Sequence, residues 1–259
     1  MADLVQKSLN NSVAKAFHLL EHFTLAKAEW GVTELSQKIG ANKSTTYRLM
    51  ATLESLGALR KNPITEKYSL GLKLFELGNR VDIQSALVSQ THPELEKVAS
   101  EIIETVHLGI LKNDQVLMVD KVESSKGLQL NSMIGTCSPA YCTSLGKVLL
   151  AFQEFPVQAQ ICSSLDLVPR TEFTLTQIDQ LRSELKRIKA RGFAIDRQEM
   201  ELGLICVGVP VFNQKGQIVA ALSAAGPANR FKEEAVQDYV AILQKGAIAI
   251  QNKIGNYHP

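Results

Sequence analysis

The sequence predicts an α+β protein of two domains, and three features predict it. Hydrophobic residues recur at helical spacing up to Gly57, they alternate with period two in strands beyond Val106, and 259 residues suffice for two cores at roughly 100–200 residues each. Hydrophobic residues make up 45% and charged residues 21% of the chain, an ordinary balance for a water-soluble fold. No run reaches the roughly 18 apolar residues of a membrane helix. The start Met1-Ala2-Asp3-Leu4-Val5-Gln6-Lys7 lacks the apolar core of a secretory signal, so a cytoplasmic location without membrane partners is expected. Cys137, Cys142, Cys162 and Cys206 are too irregularly spaced for a disulfide framework and are expected as free thiols. Residues 1–80 carry 11 Lys and Arg against 7 Asp and Glu, a balance of +4, while the remainder carries 17 against 19, or −2. That asymmetry points weakly to nucleic acid at the N-terminal end.

Residues 11–25 set Val13, Ala16, Phe17, Leu20 and Phe23 at three-to-four-residue spacing, a first amphipathic helix that Asn11 or Ser12 can cap. Thr33 opens a short second run (Leu35, Ile39) stopped by Gly40, and a third run (Tyr47, Leu49, Met50, Leu53, Leu56) ends at Gly57. Residues 58–61 and 68–70 read as strands around the turn-forming Asn62-Pro63-Ile64-Thr65-Glu66-Lys67. From Leu72 to about Ile103 the pattern is helical, with Pro93 expected to begin a new helix. Beyond it, residues 106–111 and 116–119 form a hairpin about Asn113-Asp114, residues 128–133 a further strand, and residues 204–212 and 218–224 a second hairpin. Helices are expected at 144–152, at 176–191 with Gly192 as stop, and at 232–254. The domains expected are therefore 8–71, a helical linker 72–90, and 91–255 with an antiparallel sheet.

Val32 to Leu53 has what a helix-turn-helix requires. Ser36, four residues before Gly40, lets two helices approach closely, with Leu35, Ile39, Thr46 and Leu49 facing inward. The second helix begins Asn42-Lys43-Ser44-Thr45-Thr46-Tyr47-Arg48, bringing hydroxyls, an amide, a ring and two cations of the kinds that reach phosphates and base edges. The hairpin with Arg60, Lys61 and Lys67 is the wing. Candidate DNA contacts are Lys43, Ser44, Thr45, Thr46, Tyr47, Arg48, Lys61 and Lys67, with Tyr47 equally suited to the core.

The run Thr33-Glu34-Leu35-Ser36 through Lys43-Ser44-Thr45-Thr46-Tyr47-Arg48-Leu49-Met50-Ala51-Thr52-Leu53-Glu54 to Gly57 resembles the winged helix-turn-helix of the IclR (isocitrate lyase regulator) family of bacterial transcription factors. So do Thr143-Ser144-Leu145-Gly146-Lys147-Val148-Leu149-Leu150-Ala151, the block Gly192 to Cys206, Pro210-Val211-Phe212, and Ser223-Ala224-Ala225-Gly226-Pro227 with Arg230. The likeness runs in order from about Ser8 to Ile254. It implies a GAF-like second domain that binds a small effector, often an organic acid, at positions matching Leu130, Ser144, Leu145, Asp196, Leu204, Cys206 and Ser223. It implies a repressor or activator on an operator in double-stranded DNA. Two winged helices paired through the N-terminal and connecting helices would read a two-fold symmetric site, as a homodimer or homotetramer. Ala225 stands where the family often carries a second serine, which makes a ligand held through both serines less secure and a larger or more apolar one more fitting.

From the residues alone, small side chains over 203–225 leave room for a cavity, and the free N–H groups at the helix start near Thr143 and Ser144 attract anions. Each polar candidate also has a structural reading: Asp196 as a cap, Cys206 as a small core thiol, Ser223 as a backbone-bonded hydroxyl, Leu130 and Leu204 as core. Catalysis is not expected. Gly146-Lys147 lacks the rest of a phosphate loop, Ser144-Leu145-Gly146-Lys147 fits S-x-x-K without its S-D-N or K-T-G partners, and residues 105–250 show no nucleophile–base pair. The competing class is a small-molecule-metabolising enzyme with an accessory N-terminal domain. His18 and His22 sit at i, i+4 without the H-E-x-x-H glutamate, His92, His107 and His258 show no ligand pattern, and Cys137 and Cys142 have no second pair, so neither metal nor cofactor is expected.

Overall fold

The computed structural model describes residues 10–81, 87–125, 132–231 and 233–257. The chain divides into two compact units, residues 1–81 and 82–259.

Among the described residues, the first unit holds three helices, a hairpin and a short fourth helix: α1 (Asn11–Leu20), α2 (Val32–Lys38), α3 (Lys43–Ser55), β1 (Leu59–Lys61), β2 (Tyr68–Leu70) and α4 (Leu72–Gly78). Neither Asn11 nor Ser12 caps α1. Asn10 does, its side-chain oxygen accepting from Ser12 N at 3.1 Å and Val13 N at 3.4 Å, because a cap must precede the helical residues whose N–H groups it satisfies. The helix also stops at Leu20, short of residue 25, where Thr24 and Lys27 exchange backbone bonds in a turn. Leu19, Phe23, Trp30, Leu35, Met50, Leu59 and Tyr68 form the core. Trp30 and Tyr68 exchange backbone hydrogen bonds at 2.9 Å, which ties the segment before α2 to the hairpin.

The second unit is a six-stranded antiparallel sheet in the order β5-β4-β3-β8-β7-β6, with helices on both faces. Its elements are α5 (Ser89–Ile102), β3 (Thr105–Lys112), β4 (Gln115–Val122), β5 (Cys137–Pro139), α6 (Ser144–Ala151), α7 (Phe155–Ser164), α8 (Ile178–Arg191), β6 (Ala194–Arg197), β7 (Leu204–Phe212), β8 (Ile218–Pro227) and α9 (Glu233–Ile254). Strand alternation sorts the side chains. Val106, Leu108, Val207, Val209, Leu222 and Ala224 pack under α5 and α9, while Val116, Met118 and Ala221 face α6 and α8.

Several expectations are corrected. Pro93 lies inside α5 and does not begin it. Of the strand expected at 128–133, residues 128–131 lie outside the described ones, and Ser132 and Met133 are not in a strand. The sequence reading missed β5, β6 and α7. Cys137 belongs to β5. Among the described residues, no helix is long and apolar enough to cross a membrane.

Two contacts position α6. A Cβ on Gly146 would lie 2.3 Å from the Ala140 backbone, and one on Gly208 would lie 3.0 Å from the Ser144 carbonyl. Both glycines let the helix start settle onto the sheet. Gly146→Ala should therefore destabilise the protein by about 1–3 kcal/mol, the usual range for overpacking. Urea unfolding checks this, and an unchanged midpoint would show that the segment before α6 yields freely.

Candidate functional site

In the first unit, α2 and α3 meet across Gly40, whose φ of 63° is the left-handed conformation that glycine adopts without strain. Ser36 is buried at the crossing and donates its hydroxyl to Thr33 O at 2.7 Å. Three of the four expected inward residues, Leu35, Ile39 and Leu49, pack in or against the core, and the fourth, Thr46, is fully buried. Thr46 donates to Asn42 O at 3.2 Å, so it holds the first turn of α3 and does not reach a groove. It leaves the set of DNA-contact candidates. The helical period explains this, since Thr46, Leu49, Met50 and Leu53 share one face.

Lys43, Ser44, Thr45, Tyr47 and Arg48 are exposed, and Tyr47 is thereby removed from the core. Lys43, Ser44 and Tyr47 line a surface channel whose other wall is Lys61, Thr65 and Lys67 on the hairpin. Glu34 and Glu66 also border it, each paired with a lysine: Glu34 with Lys27, Glu66 with Lys61 at 3.1 Å.

In the second unit, a cavity of about 270 Å³ lies between the sheet and the start of α6. Ser144, Leu145, Asp196, Leu204, Cys206 and Ser223 all line it, so six of the seven expected positions come together; Leu130 lies outside the described residues. The register accounts for the convergence, with Asp196 opposite Cys206 and His107 opposite Ser223 on the same face. Thr143 caps α6 by accepting from Gly146 N at 3.1 Å, and its own hydroxyl donates to Pro139 O at 3.0 Å. The N–H groups of Ser144 and Leu145 in the first turn have no intrahelical acceptor. They form the positive end of the helix at the cavity wall.

Lys147, one turn further, is 1% exposed and points away from solvent: its Nζ donates to Ile195 O at 2.7 Å and to the Glu199 carboxylate. The lysine shared by both enzyme-like patterns thus fastens α6 to β6 and its following loop. Asp196 accepts from Glu199 N at 2.7 Å, yet burial, with Glu199 nearby, pushes its carboxyl up to about 7 against the pull of Lys147. Burial also drives His107 down to about 3, so it is a neutral imidazole, bonded through Nε2 to Ser132 Oγ at 2.7 Å. The Cys206 thiol is pushed well up by burial and by Asp196 and stays protonated.

Both units match known families. Residues 81–252 match the family described as "Bacterial transcriptional regulator IclR C-terminal", and residues 12–63 match the "IclR helix-turn-helix domain". The chain belongs to the IclR family. Within it, the chain is 38% identical over 248 residues to the HTH-type transcriptional regulator KdgR of Escherichia coli, covering 96% of this chain and 94% of that one. The IclR crystal structure from Thermotoga maritima superposes with a TM-score of 0.72 at 32% identity, over 95% of this chain and 99% of that one. An IclR homologue from Microbacterium hydrocarbonoxydans, solved in complex with 4-hydroxybenzoate, shares the fold with a TM-score of 0.83 at 24% identity, over 94% and 99% of the two chains. This IclR chain is accordingly a transcriptional regulator with a helix-turn-helix DNA-binding domain and a C-terminal effector-binding domain.

Sequence reasoning missed His107, Val116, Met118, Ser132, Ser138, Met200 and Glu201 among the residues lining the IclR-type cavity. The strand order that puts β3 beside β8 is not visible in a single sequence. Alternation would have flagged Ala225 with Ser223, but nothing local pairs His107 with either.

The Asp196 environment gives a pH prediction. An acid raised from 3.8 to about 7 by folding holds its proton in the folded state while the unfolded chain releases it, so raising pH between those values favours unfolding. The contribution falls by up to about 1.4 kcal/mol per pH unit from near pH 4 to near pH 7 and is flat above. Asp196→Asn should remove this slope in urea titrations at several pH values. Parallel profiles for the two proteins would mean that Asp196 is ionised normally in the folded state.

Proposed function

We propose that this IclR-type regulator is a cytoplasmic homodimer or homotetramer whose operator affinity is set by an anionic or oxygen-rich small metabolite in the cavity beneath α6. The observation that carries the reading is the convergence of the start of α6 with Asp196, Cys206 and Ser223 around one cavity. The helix end supplies donors for a carboxylate without a lysine. Val116, Met118, Leu145, Met200 and Leu204 give the same space apolar walls, which suits the carbon skeleton of an organic acid larger than pyruvate. A ligand changes DNA binding only through unequal affinity for DNA-competent and incompetent arrangements, and the segment around residues 72–90 is the route for that coupling.

Pairing of two winged helices is supported by exposed apolar side chains on two helices. Val13 and Phe17 on α1 and Leu72 and Phe75 on α4 are each more than half exposed, and leaving them in water disfavours a monomer. One α3 covers only one half-site, so symmetric operators follow from pairing.

DNA recognition is tested by separating charge from base reading. Lys61→Ala or Lys67→Ala should weaken all duplexes alike and make the salt dependence shallower. Thr45→Ala or Arg48→Ala should change base preference by about 1–3 kcal/mol. The opposite pattern, with wing variants altering preference and helix variants altering only salt slope, would reverse the assignment.

Effector binding is tested by thermal shift with a panel of carboxylates including glyoxylate, pyruvate and 4-hydroxybenzoate. A specific binder at about 100 times its Kd stabilises the protein by about 2.7 kcal/mol. The hit should also shift DNA in a gel assay and lose its effect in the Ser223→Ala and Cys206→Ala variants. Binding that survives both substitutions, or that requires residues 1–80, would place the effector elsewhere.

A further inference from the structure

The hairpin between β1 and β2 ends in an apolar side chain. Ile64 is 90% exposed, the most exposed large hydrophobic residue among those described. It sits on a firm turn. Asn62 Oδ1 accepts from Ile64 N at 2.9 Å and Thr65 N at 3.2 Å, while Asn62 N donates to Lys67 O at 2.8 Å and Glu66 N donates to Asn62 O at 2.9 Å. Pro63 fixes φ ahead of it. These bonds use backbone groups and the Asn62 side chain, so the turn would form equally well with a polar residue at 64. An isoleucine there has no role in folding the tip.

The channel described above separates this tip from α3. Its walls carry Lys43, Ser44 and Tyr47 on one side and Lys61, Thr65 and Lys67 on the other, and its two carboxylates are each engaged by a lysine. A sugar–phosphate ridge is the nucleic-acid feature that fits between cationic walls of this kind. On duplex DNA such a ridge has the major groove on one flank and the minor groove on the other. With α3 in the major groove, the hairpin tip across the same ridge meets the minor groove. Proteins that enter that groove use Phe, Leu, Ile, Met or Pro as wedges between base steps, and pyrimidine–purine steps yield most easily.

We propose that Ile64 is an apolar wedge that enters the minor groove beside each half-site and selects for a deformable base step there. Specificity then has two sources: α3 reads base edges directly, and Ile64 reads the ease with which a flanking step opens. The flank carries sequence preference without any hydrogen bond to a base.

The test is selection from a random duplex library with the full-length wild type, Ile64→Ala and Ile64→Lys, followed by titration of the duplex that the wild type enriches. The wild type should show a preference for a pyrimidine–purine step outside the segment read by α3, and 2-aminopurine placed at that step should brighten on binding as it unstacks. Ile64→Ala should keep the central preference, lose the flanking one and the fluorescence change, and bind about tenfold more weakly, the size of one lost base contact. Equal flanking preferences and affinities within about twofold would overturn the wedge. So would full recovery of affinity by Ile64→Lys with a steeper salt dependence, because that result places the tip against phosphates. Failure of the wild type to enrich any sequence would overturn DNA reading by α3 along with the wedge, whereas a central preference without a flanking one removes the wedge alone. Because the side chain is almost fully exposed, all three proteins should melt at the same temperature, which separates a binding effect from a folding one.

Discussion

The close seating of the α6 start on the sheet is the constraint on which the second domain depends. Gly146 lies against the Ala140 backbone with no room for a side chain, and Gly208 lies beneath Ser144 with little. Lys147 then fastens the helix from within through Ile195 O and Glu199. A buried ion pair of this kind contributes little net stability, since desolvation offsets most of the attraction, but it fixes one geometry. That geometry puts the Ser144 and Leu145 amides at the edge of a space floored by Asp196, Cys206, His107 and Ser223.

The same arrangement sets the electrostatics. Lys147 is fully committed to Glu199 and Ile195 and does not line the cavity, so an incoming anion meets a helix end and not a free cation. Asp196, held near the midpoint of its titration at neutral pH, is a weaker source of repulsion than an ordinary aspartate. His107 and Cys206 are uncharged. The cavity thus offers hydrogen bonds and a partial positive potential without a full compensating charge, a combination that suits reversible binding of a metabolite. In the first unit the surroundings differ, because exposed cations and hydroxyls on α3 and the hairpin border an open channel.

Much of this was legible in the sequence, and the exceptions have physical causes. Gly40, Gly57 and Gly192 all take positive φ where the pattern of apolar residues stops, so the helix ends were readable from composition. The second hairpin was readable because Asn213 to Gly216 interrupts two alternating runs. By contrast, β6 has only four residues and β5 three, too short to show a period. Helix α7 shows weak sidedness, with Cys162 its one buried residue, and gave no signal. Thr46 could be assigned inward or outward from sequence, since a threonine early in α3 serves a phosphate or a backbone carbonyl equally well. Packing decides for the carbonyl. The family pattern gathered Ser144, Asp196, Cys206 and Ser223, whereas His107 entered only through strand order.

Hydrogen exchange reads whether a metabolite is captured at the α6 N-terminus. With the strongest thermal-shift hit added to the full-length protein, the amides of Ser144 and Leu145 should gain protection first, together with the neighbouring parts of β6, β7 and β8. Protection confined to other segments, with exchange at Ser144 and Leu145 unchanged at saturating ligand, would contradict the account.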